Sequence, residues 1–253
     1  MNEETELNRE SRIKSGVEYD RESAEESVGK HDKRIREILR YLGDQKGKEQ
    51  EDKAVLELIS SCVAELEEGV SPKHLYREFP LKLSGETIDS SCFQTRSKAL
   101  GKNLKDCESI ILFAATLGTG ADYCLGRYSR IKMSRAVVMQ AAAAALLEEY
   151  CDRICKQLSE EYEKQGRFLR PRFSPGYGDF SLEIQPKLLD ALEAGKRLGI
   201  KLTDSFLMLP SKSVTAVIGV SKIPGKCRVQ GCEACLKTDC LYRRQEKFER
   251  IDR

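Results

Sequence analysis

The chain has 253 residues with 43 basic and 41 acidic side chains, which leave a formal net charge of +2. This length allows one sizeable core or two modest ones, and the balanced charge predicts no bulk attraction to nucleic acid or a membrane surface. No apolar run reaches the length of a bilayer-spanning helix, and the amino terminus lacks a signal-like apolar segment. We therefore expect a cytoplasmic protein whose ten cysteines are thiols or metal ligands rather than disulfides.

Charge and helical spacing divide the first part of the chain. Residues 1–28 hold nine acidic and four basic side chains, a composition that predicts a disordered or loosely helical tail over residues 1–30. Apolar residues at helical spacing predict one helix over His31–Gly43 and a second that begins near Val55 and ends near Gly69, with a polar linker between them. A strand is predicted over Leu75–Ser84, and residues 89–101 are ambiguous between strand and a short helix.

An apolar run at Ser109–Ala115 predicts a buried strand, which leads into a glycine turn at residues 116–121. The turn is similar to a phosphate-binding loop at first sight. However, Tyr123 occupies the position of the third glycine in the dinucleotide-binding pattern. A turn between a strand and a helix is the preferred interpretation.

A long helix is predicted from Met133 to about Lys164, with an alanine-rich first half that lets neighbouring elements approach closely. Cys151 and Cys155 lie one turn apart on this helix. No histidine is near them in the sequence, so buried thiols are favoured over metal ligands.

The loop at residues 170–179 is the most distinctive stretch of the sequence. It combines two prolines, two glycines, two arginines and two aromatic residues, which excludes a helix or a central strand. A rigid loop that presents backbone amides and an arginine is suited to binding a ligand.

After this loop, a helix is predicted over Leu182–Leu198, with Gly199 as its end. Two strands follow at Ser205–Leu209 and Ser213–Val220, and residues 210–212 are predicted to join them as a hairpin. Helices and strands do not alternate regularly along the chain, so the predicted fold class is α+β rather than a doubly wound sheet.

The last segment, residues 223–253, is predicted to be a separate cysteine-rich tail. Its pattern Cys227-x4-Cys232-x2-Cys235-x4-Cys240 places four thiols within fourteen residues. Four thiolates suit tetrahedral zinc or an iron–sulfur cluster, and free thiols are the third alternative. This tail alone also raises the hypothesis of a generic electron-transfer protein.

A family resemblance rests on four groups of residues. They are Arg172–Tyr177 with its proline and glycine, Gly199–Ser205, Met208 with Pro210, and Ser213 with Val214. In order and spacing these residues resemble the activation domain of cobalamin-dependent methionine synthase. The resemblance implies an activation-domain fold over residues 31–222, with an antiparallel sheet and flanking helices.

The resemblance also implies a function. The family's activation domain binds S-adenosylmethionine and docks over a corrinoid-carrying domain whose cobalamin has become inactive Co(II). An electron from flavodoxin or another donor, together with the methyl group of S-adenosylmethionine, then restores methylcobalamin. The chain would thus be a separate reactivation subunit that takes part in a methyltransferase activity, with cobalamin carried by its partner.

Four residues match the family's ligand loop, and their roles are implied by that match. Arg172 would hold the methionine carboxylate by a charge-assisted fork. Ser174 and Gly176 would meet the ligand through their backbone groups, and Tyr177 would offer an aromatic face to the ligand or its sulfonium. The family's acidic position on the long helix aligns near Ala144, so no acidic partner is expected to face this loop. A non-catalytic corrinoid-protein partner, or an iron–sulfur or zinc adaptor that has lost S-adenosylmethionine binding, is therefore the alternative.

Overall fold

Helices cover both faces of a mainly antiparallel sheet in the computed structural model, which describes residues 14–16, 24–43 and 53–224. The strands are β1 (Lys14–Gly16), β2 (Lys73–Ser84), β3 (Thr87–Ser90), β4 (Phe93–Arg96), β5 (Ser109–Thr116), β6 (Phe168–Leu169), β7 (Lys201–Leu202), β8 (Met208–Leu209) and β9 (Ser213–Ser221). The helices are α1 (Ala24–Tyr41), α2 (Lys53–Gly69), α3 (Lys98–Asn103), α4 (Thr119–Ile131), α5 (Met133–Glu163), α6 (Gln185–Ala191) and α7 (Ala194–Leu198), with a 3-10 turn at Leu182–Ile184.

The large sheet has the strand order β4-β3-β2-β5-β9-β6, and β1 pairs with β2. Each of these pairings is antiparallel. In the middle of the sheet, Phe113 of β5 lies between Tyr76 of β2 and Ala216 of β9. The predicted α+β class with an antiparallel sheet and flanking helices is confirmed.

Strand β5 is buried along its whole length because it contributes to two cores. Side chains alternate across a strand, so Ile111 and Phe113 face one core while Ile110 and Leu112 face the other. The first core is closed by α1, α2, α4 and α5, and the second by α3, the 3-10 turn, α6 and α7. This double burial explains why the strand reads as a continuous apolar run.

The amino-terminal region differs from its prediction as a charged tail. Residues Lys14–Gly16 form β1, which pairs with Tyr76, Leu75 and His74 of β2. Helix α1 begins at Ala24, seven residues before the predicted start at His31. The remaining residues of the predicted tail, and the linker predicted at residues 44–51, lie outside the described residues.

The predicted hairpin over residues 205–220 is wrong. Strand β8 pairs with β7, whereas β9 pairs with β5 in the large sheet. The connecting residues are held by the start of α4 instead of turning back on β8. The Ser211 amide donates to Asp122 at 2.9 Å, and the Lys212 carbonyl accepts from the Leu117 amide at 2.9 Å.

The predicted helix over Leu182–Leu198 is divided into three short segments. The break lies at Glu193, whose φ of 51° belongs to the left-handed region. Leu192 and Ala194 on either side of it are both fully buried. The turn thus lets two residues that are two positions apart both reach the core, which one continuous helix would not allow.

The glycine turn at residues 116–121 links β5 to α4, as predicted. Thr116 Oγ1 accepts from the Gly118 amide at 3.0 Å, and Gly118 has a φ of +78° that favours glycine. A Cβ at Gly120 would collide with the Gly69 carbonyl oxygen at the end of α2. The glycines therefore serve chain reversal and close helix packing.

None of the helices in the described residues is long and apolar enough to cross a membrane.

Candidate functional site

The proline–glycine loop, residues 170–180, begins as an extension of the sheet edge. The Arg170 amide donates to Gly219 of β9 at 2.8 Å. Phe173 and Val217 exchange two backbone hydrogen bonds of 2.9 Å each. The start of the loop is thereby fixed to β9, while the prolines prevent it from continuing as a regular strand.

The middle of the loop is a compact turn. The Gly176 amide donates to Phe180 O at 2.8 Å, and the Tyr177 amide donates to Ser174 O at 3.2 Å. Gly176 has a φ of +91°, so a larger residue would be strained there. The turn is anchored below by Phe180, which is buried, and by the ring of Phe173 at 6.2 Å.

The loop's far end is attached to the start of α3 by Asp179. Its carboxylate accepts from Ser97 Oγ at 2.6 Å, from the Lys98 amide at 2.7 Å and from the Ala99 amide at 3.0 Å. The hydrogen bonds from Ser97 and the two amides lower the pKa of Asp179 from 3.8 to about 2. An ionised Asp179 therefore holds the loop against the amino-terminal end of this helix.

Arg172 points to the opposite side, where α5 passes. Its Nη2 atom lies 3.2 Å from Glu148 Oε2 and 2.5 Å from Asp152 Oδ1. Burial opposes the charge of this guanidinium, but its neighbours together outweigh burial, so the pKa of Arg172 lies above its ordinary value. These neighbours are Cys151, Cys155, Glu148 and Asp152. The arginine is a permanent cation shared between two acidic side chains.

Glu148 and Asp152 correct the expectation that no acidic residue faces the loop. They lie one and two helical turns after Ala144, the position to which the family's acidic residue was aligned. Residues at four-residue intervals share a helix face, so an acidic residue one turn away reaches the same region. The sequence thus carries acidic residues in the turns that follow the aligned position, and the packing of α5 brings them to Arg172.

Cys151 and Cys155 lie on α5, the helix that carries Glu148 and Asp152, and both thiols are close to Arg172. Cys151 is fully buried and Cys155 is half-buried. Burial raises the pKa of both thiols, that of Cys155 to about 11. They are neutral at physiological pH, which agrees with the prediction of buried structural thiols.

The other two ligand-loop residues are placed differently. Tyr177 is 65% exposed, and its ring meets Phe173 edge-on at 6.5 Å. Ser174 is half-buried and contributes its carbonyl to the turn. Arg172 thus faces α5, while Tyr177 stands at the exposed tip of the same loop.

The predicted metal site lies outside the described residues, because Cys227, Cys232, Cys235 and Cys240 belong to the segment 225–253. Within residues 14–16, 24–43 and 53–224, no group of three or more His, Cys, Asp or Glu side chains is arranged to hold a metal ion. Zinc, an iron–sulfur cluster and free thiols therefore stay open for the tail.

Lys212 is a buried cation that the sequence did not single out. Its Nζ donates to the Gln140 carbonyl of α5 at 3.3 Å. Burial lowers the pKa of Lys212, partly offset by Asp122. Gln140, Ala144 and Glu148 follow one another at four-residue intervals, so one face of α5 runs from Lys212 towards Arg172.

Comparisons with known proteins give a family and a fold. The family model described as "Vitamin B12 dependent methionine synthase, activation domain" matches residues 99–224, which include Glu148, Asp152 and the whole loop. Among solved structures, the chain is similar to a crystal structure of the MetH reactivation domain bound to AdoHcy. That match has a TM-score of 0.59 and 16% identity, and it covers 83% of this chain and 78% of that one. No curated protein sequence matches the chain significantly. The structural likeness shows a shared fold.

Proposed function

Residues 99–224 belong to the activation-domain family of vitamin B12-dependent methionine synthase, and from this premise we propose that the chain is an S-adenosylmethionine-binding reactivation subunit. It supports the reductive methylation of cob(II)alamin on a methionine synthase that lacks its own activation domain. Cobalamin is carried by that partner, where it accepts a methyl group and an electron. Flavodoxin or a similar protein is the proposed electron donor.

The observation that carries this proposal is the pairing of Arg172 with Glu148 and Asp152. An α-amino acid end presents a carboxylate and an ammonium side by side, so its site needs a cation next to an anion. Arg172 supplies a fork of donors for the carboxylate. Glu148 or Asp152 supplies an acceptor for the ammonium, and both side chains are partly exposed, at 41% and 56%.

The loop residues complete the proposed site. The turn at Ser174 and Gly176 would offer its backbone groups to the ligand. Tyr177 offers an aromatic face to the sulfonium of S-adenosylmethionine. A Cβ at Gly176 would lie 3.2 Å from Leu182, so Leu182 is beside the loop. Leu182 is 42% exposed and Tyr177 is 65% exposed, and both offer apolar surface suited to a protein partner.

Calorimetry with S-adenosylmethionine tests the ligand. We expect saturable binding to the wild-type protein, weakened by about 10- to 100-fold in Arg172→Ala, because a charge-assisted hydrogen-bond pair is lost. Arg197→Ala is the matched control, since Arg197 pairs with Glu193 near the break between α6 and α7. An absence of binding to the wild-type chain would contradict the ligand assignment.

An activity assay tests the reactivation role. A methionine synthase without its activation domain, trapped with Co(II) cobalamin, is mixed with S-adenosylmethionine, reduced flavodoxin and this chain. Visible absorption should report the return of methylcobalamin when the wild-type chain is present, a much slower return with Arg172→Ala, and none without the chain. Equal recovery without the chain would contradict the proposal.

A second candidate function is favoured by the same ion pairs. Glu148 and Asp152 satisfy Arg172 within the chain, as expected for a purely structural contact. The chain would then be a non-catalytic partner of a corrinoid protein or a metal-containing adaptor. Co-purification with the corrinoid protein that does not depend on S-adenosylmethionine, together with no calorimetric binding, would favour this candidate.

Iron and zinc analysis of anaerobically purified protein, with Cys232→Ser as the control, tests the metal site of the tail.

A further inference from the structure

The junction between α4 and α5 exposes three large apolar side chains. Ile131 ends α4, and Met133 and Val137 lie one turn apart at the start of α5. Their exposed fractions are 68%, 65% and 52%. Three of the nine exposed large apolar residues of the described chain therefore fall within seven consecutive positions, which makes them a patch rather than scattered surface residues.

These side chains point away from the first core because the opposite faces of both helices already pack against it. Leu125 and Tyr128 of α4 lie against that core, and Met139 of α5 is buried in it. The described residues thus leave the apolar patch uncovered. An exposed apolar patch bordered by charged residues is typical of a protein contact site.

Positive charge surrounds the patch. Arg130 and Lys132 flank Ile131 in the sequence, and Arg127 lies one helical turn before it on the same face of α4. Arg130 and Lys132 are exposed and form no ion pair with other described residues. The α4–α5 corner is defined by these cations and the apolar patch: Arg127, Arg130, Ile131, Lys132, Met133 and Val137.

Glu65 does not neutralise the corner, because its carboxylate is shared. It lies 2.7 Å from Arg135 and 3.8 Å from Arg127. One carboxylate therefore meets four cations and leaves three positive charges, those of Arg127, Arg130, Lys132 and Arg135. Residues 133–147 of α5 contain no acidic side chain, and the start of the helix has no side-chain cap. The positive end of the helix dipole therefore adds to the charge of the corner.

The corner is separate from the proline–glycine loop. Val137 and Glu148 are eleven residues apart on α5, which places them about 16 Å apart along the helix axis. In the proposed function the corrinoid protein has to reach the loop to receive the methyl group. A second protein that binds at the same time needs another surface, and the corner offers one.

We propose that the α4–α5 corner is the docking surface for an acidic electron-donor protein, which binds there while the corrinoid protein occupies the loop. This inference rests on the proposed function and adds a surface and a ternary complex to it. A donor with an acidic rim around an apolar centre matches the corner in both charge and polarity. The donor loses one electron and the Co(II) of the corrinoid protein gains it, so this chain is neither oxidised nor reduced.

Calorimetry with flavodoxin, whose surface is acidic, measures docking directly. The corner variant carries Arg130→Glu and Lys132→Glu. Its matched control carries Lys187→Glu and Lys196→Glu, at two exposed lysines on α6 and α7. We expect the dissociation constant to rise about tenfold in the corner variant and to stay unchanged in the control. Added salt should weaken binding of the wild type, because the charges of the corner are exposed to solvent.

Met133→Ser tests the apolar patch without changing charge. We expect flavodoxin binding to weaken about threefold, because less apolar surface is buried on docking. The salt dependence of binding should remain that of the wild type, since the cations of the corner are retained.

The reactivation assay provides a second measurement, because its reductant can be changed. Titanium(III) citrate is a small reductant that needs no protein docking surface. We expect the corner variant to restore methylcobalamin about tenfold more slowly with limiting reduced flavodoxin, and at the wild-type rate with titanium(III) citrate. Affinity for S-adenosylmethionine should be unchanged, since Arg172 and the loop are intact.

Each other outcome overturns the proposal. Unchanged flavodoxin binding in both the corner variant and Met133→Ser excludes the corner as the docking surface. Equal losses with both reductants indicate damage to the fold or the ligand site. Competition between flavodoxin and the corrinoid protein excludes the ternary complex. Binding of phosphatidylserine vesicles without binding of flavodoxin assigns the corner to a lipid surface. Failure of reactivation with either reductant contradicts the proposed function itself, whereas calorimetry still decides the docking surface.

Discussion

The charged side chains at the two ends of the proline–glycine loop make opposite kinds of contact. At one end, Asp179 binds a hydroxyl and two backbone amides at the start of α3. At the other end, Arg172 binds only the side chains of Glu148 and Asp152 on α5. Backbone amides stay where the helix places them, whereas side chains can rotate and exchange partners.

This difference indicates that the Asp179 end stabilises the fold and that the Arg172 end is suited to binding a ligand. The Asp179 end completes the capping of a helix, so it contributes to the stability of the fold. The Arg172 end consists of charges that an amino-acid ligand can take over one by one. We therefore expect changes at the first end to appear mainly in unfolding experiments and changes at the second mainly in ligand binding.

The largest stability effect is expected for Ser97→Ala. Ser97 is buried, and its hydroxyl accepts from the Leu100 amide while it donates to Asp179. Loss of this N-cap should lower the free energy of unfolding by about 1–2 kcal/mol, measured by urea denaturation. Ser129→Ala, at an exposed hydroxyl on α4, is the control and should change little. A Ser97 variant as stable as wild type would contradict the assignment of the Asp179 end to the stability of the fold.

Arg172→Lys should affect binding and leave stability nearly unchanged. Lysine keeps the positive charge but cannot form the planar fork, so affinity for S-adenosylmethionine should fall about tenfold. The free energy of unfolding should change by less than about 1 kcal/mol, because the ion pairs are partly exposed. Calorimetry and denaturation on the same sample measure both. A large loss of stability with unchanged affinity would reverse the assigned roles.

The pH dependence of stability should trace to the Asp179 end. The folded-state pKa of Asp179 is lowered from 3.8 to about 2, so its contribution is present above 3.8 and is lost as the pH falls through about 2. Asp179→Asn should remove this part of the acid sensitivity. Denaturation midpoints of both proteins from about pH 5 downward should therefore converge. Parallel curves at all pH values would show that Asp179 titrates alike in folded and unfolded chains.

The smallest effect is expected at the exposed tip of the loop. Tyr177→Leu removes the aromatic face, and S-adenosylmethionine binding should weaken about two- to threefold. Tyr177→Phe keeps the face and should bind like wild type, which separates the ring from the hydroxyl. Equal loss in both variants would assign the effect to the hydroxyl group instead.

Elements with a strong local pattern were predicted well from the sequence. The apolar run of β5 and the helical spacing of apolar residues along α5 each match one kind of secondary structure over many residues, so both elements can be predicted from sequence. The short strand β1 was missed, since three residues in a charged context carry no pattern. The false hairpin after Ser205 arose because β8 and β9 are neighbours in sequence, whereas their partners β7 and β5 are set by long-range contacts.

The candidate site was predicted in part. Arg172, Ser174, Gly176 and Tyr177 were named from the loop motif, and their placement on one loop follows directly from sequence. Glu148 and Asp152 were not named, because their approach to Arg172 depends on how α5 crosses the sheet edge. Sequence indicates which side chains carry charge, but packing determines which charges meet.

The central position of β5 has a consequence for dividing the chain. The family match begins at residue 99, after β2 and α2, yet β2 is hydrogen-bonded to β5 over residues 73–80. A shortened protein starting at the family boundary would expose one whole edge of β5 and the core face that α2 covers. Unpaired strand edges next to uncovered apolar surface promote aggregation. Helix α2 and strand β2, which precede residue 99, are thus structural parts of the same folding unit, and expression of the domain should retain them.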